Sequence, residues 1–188
     1  MEHCAAMTEL ITLATATTSG SKWQAISALR RRVFIEEQKV PEEDEWDLAD
    51  ASAIHIAAIC SNGEKHLLVG CARLLADGHI GRMAVQKKWR GRGVGSALLQ
   101  FTLGVARRAN MSGVSLNAQT HAVNFYRRHG FVVEGEEFLD AGIPHRRRRC
   151  GDRPFPRGRL PPCVGYAGQQ EARGSCRSCG GDSSRRGR

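Results

Sequence analysis

The segment Lys88-Trp-Arg-Gly-Arg-Gly-Val-Gly-Ser-Ala-Leu-Leu-Gln100 sets Gly91, Gly93 and Gly95 and two arginines directly before an apolar run. The residues before it, Ile80 through Val85, read as extended, so the order is strand, tight turn over 87–93, and a helix from near Gly93. Missing side chains let a ligand approach the unpaired amides at the helix start, where the dipole favours an anion. Arg90 and Arg92 add charge-assisted donors for phosphate oxygens. A triphosphate loop would need a Gly-Lys-Ser or Gly-Lys-Thr ending, which is absent. A dinucleotide fingerprint would follow the first strand of a parallel unit, whereas the strands here are hairpin-linked. A pyrophosphate cradle of another kind remains, beside the plainer reading of a tight turn without a ligand.

The flanking pattern is that of a mixed α/β domain. Ile11 to Thr15 alternates as a first strand, and Thr18 or Ser19 caps a helix whose face carries Trp23, Ile26, Leu29 and Val33. Pro41 and the acidic run Glu42–Glu45 break it. Residues 53–59, 66–74 and 80–85 form an antiparallel meander turned at Ser61-Asn62-Gly63 and Asp77-Gly78. A helix with Val94, Leu98, Leu99, Phe101, Leu103 and Val105 follows, then a strand at 114–118, a helix at 121–129 ended by Gly130, and a strand from Phe131. The order is β, α, β, β, β, α, β, α, β.

Composition divides the chain near His145. Of 28 Lys plus Arg and 19 Asp plus Glu, residues 146–188 hold twelve arginines and three acids, so residues 1–145 carry sixteen of each sign and the whole excess of nine lies in the tail. That tail is rich in Gly, Pro, Ser and Cys and poor in large aliphatics, and is expected to be disordered. Residues 1–145 are expected to form the folded domain. Its apolar stretches are too short to span a bilayer, its first residues are unlike a signal peptide, and Cys4, Cys60 and Cys71 are scattered, which fits a reducing, cytoplasmic setting without membrane attachment.

Residues 80–99 closely resemble the cofactor motif of the GCN5-related N-acetyltransferase (GNAT) superfamily, whose loop pattern is matched by Arg90, Gly93 and Gly95. A second motif is matched by Ala122, Tyr126, Gly130 and Phe131. Residues 29–41 with Glu45 and Asp47, Leu116-Asn-Ala-Gln119 and Asp140 through His145 further resemble the ElaA and YjcF-type acetyltransferases. The resemblance implies a mostly antiparallel sheet with two splayed strands, flanked by helices. It also implies transfer of acetyl from acetyl-coenzyme A to a primary amine by direct attack.

On that resemblance the backbone of Arg90, Gly91, Arg92, Gly93, Val94, Gly95 and Ser96 holds the pyrophosphate. Main-chain groups of Met83, Ala84 and Val85 bind the pantetheine arm, one amide polarising the thioester carbonyl. Gln119, where many relatives have asparagine, and Asn124 are further cofactor contacts. Tyr126 protonates the leaving thiolate, the alternative being an ordinary packed tyrosine.

The acceptor ammonium must lose a proton, for which the sequence offers Glu37, Glu45, Asp47 and His55. Each also reads as an ordinary surface or sheet residue. The acidic run at 42–47 matches a cationic acceptor, a small molecule or a peptide. Arg82 reads either as a substrate contact or as a sheet arginine, and His121 and His145 match subgroup positions without an assigned role.

No metal spacing is found among the seven histidines, and Cys150, Cys163, Cys176 and Cys179 contain one zinc-like pair. Arg146–Arg149 could contact nucleic acid electrostatically and without specificity. A homodimer through exposed strands follows from the family resemblance, and an inactive acetyl-coenzyme A binding module is the competing function. Subgroup members continue after Ile-Pro-His with an ordinary ending that contains a methionine. The abrupt change here is expected to be either an evolved tail or a GC-rich frame other than the family's.

Overall fold

The computed structural model describes residues 10–62, 64–140 and 142–150. Seven strands, β1 (Leu10–Ala16), β2 (Ile54–Asn62), β3 (Lys65–Leu74), β4 (His79–Val85), β5 (Val114–Gln119), β6 (Val132–Asp140) and β7 (Ile143–Cys150), form one sheet in the order β1-β2-β3-β4-β5-β7-β6. All neighbours are antiparallel except β4 and β5. The mixed, mostly antiparallel architecture read from the sequence is the one observed. Among the described residues no helix is long and apolar enough to cross a membrane.

Period-two alternation sorts β2 and β3 between two helical layers. On one face, Ile26, Leu29 and Val33 pack on Ala57, Cys71 and Ala84. Their helix, α1 (Gly20–Arg30), continues through Arg31–Glu37 as π-helical turns. On the other face, α3 (Val94–Arg108) buries Val94, Leu98, Leu99 and Leu103 against Ile56, Val69 and Leu74. Gly70 permits this close approach, since a Cβ there would lie 2.8 Å from Leu98 Cδ1. The acidic run after Pro41 forms one helical turn, α2 (Glu42–Glu45), and α4 (Val123–Arg128) follows a 3-10 turn at Thr120–Ala122.

Two irregularities open the middle of the sheet. Cys71 pairs with Ala84 and Arg73 with Gly81, so Ala72 faces both Arg82 and Met83, a bulge in which Arg82 takes φ +48°. β4 then pairs with β5 only at His79↔Ser115 and Ile80↔Leu116. Beyond Ile80 the two strands part.

A buried ionic network ties α1 and the following loop to that bulge. Arg30, fully buried, donates to Glu45 Oε1 at 2.5 Å and to Asp50 Oδ1 at 2.8 Å, and its guanidinium lies 4.7 Å from the Trp46 ring centroid. Arg73 donates to Asp47 (2.7 Å) and Asp50 (2.9 Å), and Arg82 lies 3.2 Å from Glu45 Oε2. Glu45 and Asp47, read above as part of a field for a cationic acceptor, are therefore matched internally by arginines. Arg31 pairs with Glu42 outside that network, at the surface.

β7 corrects the domain boundary. Arg146–Arg149, assigned above to the tail, are strand residues between β5 and β6, and Arg146, Arg147 and Arg149 pair with Glu137 or Glu134 of β6. Glutamates supplied by the neighbouring strand are what a reading of composition alone misses. Arg148 is instead buried, 1% exposed, and among the described residues its Nε and Nη2 have no hydrogen-bond partner. Residues 151–188, including Cys163, Cys176 and Cys179, lie outside the described residues, as does Cys4.

Two substitutions should move stability in opposite directions when read by urea unfolding. Arg30→Ala leaves two buried carboxylates short of a partner and should cost about 3–5 kcal/mol. Arg148→Met replaces a poorly satisfied buried guanidinium by an apolar side chain of similar length and should add about 1–3 kcal/mol. A destabilised Arg148→Met protein would show that the guanidinium is better satisfied than its geometry indicates.

Candidate active site

Between β4 and α3 the chain makes a 3-10 turn at Lys87–Trp89 and then crosses Gly91 (φ +75°) and Gly93 (φ +82°), both in the left-handed region. Apart from the adjoining residues, none of the described residues comes within 4 Å of where a Cβ would stand on either glycine, so this side of the loop is open. Ala97 N–H donates to the Gly93 carbonyl as the first bond of α3, which leaves the amides of residues 94–96 without intrahelical partners. A bare loop ending in unpaired amides is the geometry expected of an anion cradle.

Arg90 anchors this loop to both neighbouring elements. Its Nε donates to the Val85 carbonyl (3.0 Å), and its two terminal nitrogens donate to Glu37 Oε1 (2.5 Å) and Oε2 (2.8 Å). The Arg90 guanidinium holds the Glu37 carboxyl below its ordinary value. Glu37 does not line the central cleft, and a carboxylate held by a bidentate guanidinium is a poor proton acceptor, which counts against it as a base. Arg92 stacks 5.0 Å from the Trp89 ring, and Val94 is buried in the core. Ser96 shares a hydrogen bond with His129 Nε2 at 3.1 Å.

The parting of β4 and β5 creates a cleft of about 390 Å³. Gly81 through Val85 and Arg90 line one side, Asn117, Gln119 and Tyr126 another, and Phe34, Gln38, Asp44, Glu45 and His145 complete the wall. Of the cofactor candidates, Met83, Ala84, Val85, Arg90 and Gln119 thus meet at one cavity. Gln119 Nε2 donates to Gln38 Oε1 at 3.0 Å, joining the walls. Asn124 is exposed on α4 and does not line the cleft.

Tyr126 lies edge-on to Phe125 and Phe131, at centroid distances of 4.9 and 5.9 Å. Its hydroxyl donates to Met83 Sδ on β4 at 3.7 Å. Burial pushes the phenol up to about 12, so it stays protonated at neutral pH. The cleft therefore contains a neutral oxygen acid aimed along β4.

The expected bases fare differently. Glu45 reaches the cleft, but Arg30 and Arg82 occupy its two oxygens; burial raises its carboxyl and both arginines oppose that rise. His55 does not reach the cleft. It is 1% exposed under α1, 4.7 Å from the Trp23 ring, with Nε2 3.0 Å from the Asp50 carbonyl, and burial lowers its basicity. Alternation does send it to the face opposite Ile56, yet that face is covered by a helix. Asp47 is engaged by Arg73 and Arg82. Arg82 lines the cleft, bound by Glu45 and by the Asp44 and Glu45 carbonyls.

Sequence reasoning missed Gln38, Asp44 and Asp140 as cleft residues and gave His145 no role. Gln38 arrives through the π-helical extension of α1, which no period announces. Asp140 and His145 arrive through the β6–β7 hairpin, whose second strand is hidden by its arginines.

Comparison with known proteins converges on one family. Residues 27–150 match the family model described as an acetyltransferase (GNAT) domain. The chain is 42% identical over 120 residues to an uncharacterized N-acetyltransferase, YjcF, of Bacillus subtilis, covering 62% of this chain and 84% of that one. Among solved structures it is similar to Escherichia coli ElaA (TM-score 0.66, 30% identity, 75% of this chain and 99% of that one). It is equally similar to an acyl-CoA N-acyltransferase from Pseudomonas aeruginosa (TM-score 0.65, 29% identity, 76% and 100%). The open loop, the parted strands and these likenesses agree, and the chain belongs to the GNAT acetyltransferase superfamily, close to its ElaA and YjcF-type members, with acetyl-coenzyme A as cosubstrate.

Proposed function

We propose that this protein transfers the acetyl group of acetyl-coenzyme A to a primary amine by direct attack, with Tyr126 as the general acid. The observation that carries the reading is the Tyr126 hydroxyl, kept protonated by burial in the cleft formed by β4 and β5 and already donating to a sulfur atom on β4. A thiolate leaving along β4 would meet the same donor. Acetyl-coenzyme A supplies the activated acetyl group.

The chain's own groups divide the remaining work. Amides of residues 91–96 and the side chains of Arg90 and Arg92 bind pyrophosphate oxygens at the head of α3. The backbone of Met83, Ala84 and Val85, freed from pairing with β5, binds the pantetheine arm and polarises the thioester carbonyl. Gln119 orients the arm from the opposite wall. Asn124 stands apart from the cleft, and nothing in its placement supports a cofactor contact. The buried thiol of Cys71, which meets the Arg82 carbonyl rather than another sulfur, supports action in a reducing, cytoplasmic setting.

Calorimetry should detect saturable acetyl-coenzyme A binding that Arg90→Ala weakens roughly 10- to 100-fold, the loss expected for charge-assisted bonds. Unchanged affinity would remove the arginine from the site. Tyr126→Phe should lower kcat by about 100-fold or more while leaving acetyl-coenzyme A affinity within about threefold. Because the phenol is pushed up to about 12, kcat of the wild type should hold on the alkaline side through about pH 10. A decline centred well below that, and absent from Tyr126→Phe, would mean that the phenol ionises too easily for the environment described.

A further inference from the structure

We propose that His145 is the base that removes the proton from the acceptor's ammonium group, an inference that rests on the amine-transfer reading above. The β5–β7 register pairs His145 with Gln119, and cross-strand partners project to the same face, so both reach the cleft that holds Tyr126. His145 is 9% exposed, and its ring stacks on Phe138 at 6.1 Å with an interplanar angle of 28°. Its Nδ1 lies 2.8 Å from the Ile143 carbonyl oxygen. A carbonyl only accepts, so Nδ1 carries the hydrogen and Nε2 keeps its lone pair. The hairpin thus fixes ring, tautomer and the nitrogen that takes a proton.

The other ionisable groups lack this combination: His121 is exposed on the 3-10 turn before α4, and His79 Nδ1 lies 3.3 Å from Ser115 Oγ, a hydroxyl that can donate or accept and so does not fix the tautomer. Glu45 would have to give up an arginine contact to accept a proton, Glu37 is bound to Arg90 away from the cleft, and His55 lies beneath α1. Asp44 of α2 and Asp140 at the end of β6 line the same cavity and form no ion pair among the described residues, so they suit an arriving cation.

The reaction then balances as follows. The ammonium gives one proton to His145 Nε2, and the freed nitrogen lone pair forms the C–N bond at the thioester carbonyl carbon. The C–S bond breaks, and the departing sulfur takes the Tyr126 proton. The second proton of the new amide nitrogen restores Tyr126, and the imidazolium releases its proton to water, one proton per turnover.

The test compares ethylamine, an ammonium ion at neutral pH, with 2,2,2-trifluoroethylamine, a free amine there, using the full-length protein. His145→Ala should reduce kcat/KM for ethylamine about 100-fold and for the fluorinated amine less than about threefold, with imidazole in the buffer restoring part of the loss. Acetyl-coenzyme A affinity should be unchanged. Equal losses for both amines, or no loss, would overturn the base role and leave amine transfer standing. If the wild type binds acetyl-coenzyme A but acetylates neither amine, the parent reading falls and this one falls with it. Nitrogen-15 spectra of the wild-type ring give an independent check without turnover: a hydrogen on Nε2 of neutral His145 would overturn the assignment.

Discussion

The sheet is opened at its centre, and most of what is distinctive about the molecule follows from that opening. β4 and β5 share two residue pairs and then separate, although both continue as strands against other partners. Strand backbone left without a lateral neighbour inside a protein is costly, because every N–H and C=O needs a partner. The cost is tolerable where water or an extended ligand supplies those partners. The bulge at Arg82 and Met83 turns β4 away from β5, and Arg82 holds a left-handed conformation that a non-glycine residue takes at a cost of about 1 kcal/mol or more. Strain of this kind persists only when its surroundings over-determine it.

Those surroundings are the arginine and carboxylate network. Arg82 is held by two backbone carbonyls and lies against Glu45, which is fixed by Arg30, which also grips Asp50, which binds Arg73. Apolar residues of the same volume would often stabilise a core as well as buried ion pairs do. What the charged set supplies here is direction, since a bidentate guanidinium fixes its partners in angle as well as distance. The loop after α1 thereby becomes one wall of the cleft. The same bonds engage Glu45 and Asp47, so the acidic groups that line the cavity without an arginine partner among the described residues are Asp44 and Asp140.

Local signals in the sequence were good guides where one element decides the outcome. The helical face of Ile26, Leu29 and Val33, the meander, and the turn with Gly91 and Gly93 each depend on neighbours a few residues away and each appears, although Ser61 and Asn62, read as turn residues, extend β2. The failures are pairings over long separations. His55 alternates correctly but meets Trp23 rather than the cleft, because alternation names a face without naming what covers it. Arg146–Arg149 read as a solvated tail because single-strand composition does not reveal Glu134 and Glu137 opposite. Glu37 and Arg90, 53 positions apart, give no sign in sequence that they would meet.

That last pair links the cleft wall to the phosphate loop. A guanidinium carries five N–H donors in a plane. Arg90 uses one on the Val85 carbonyl and one from each terminal nitrogen on Glu37, which leaves two directed elsewhere. Glu37 therefore need not be displaced for Arg90 to meet a phosphate oxygen. By fixing the plane of the guanidinium it aims the remaining donors and removes much of the entropy that a long exposed arginine would otherwise lose on binding. Because Glu37 ends the π-helical extension of α1, the same pair ties the glycine loop to the segment that carries Phe34 and Gln38 into the cleft wall.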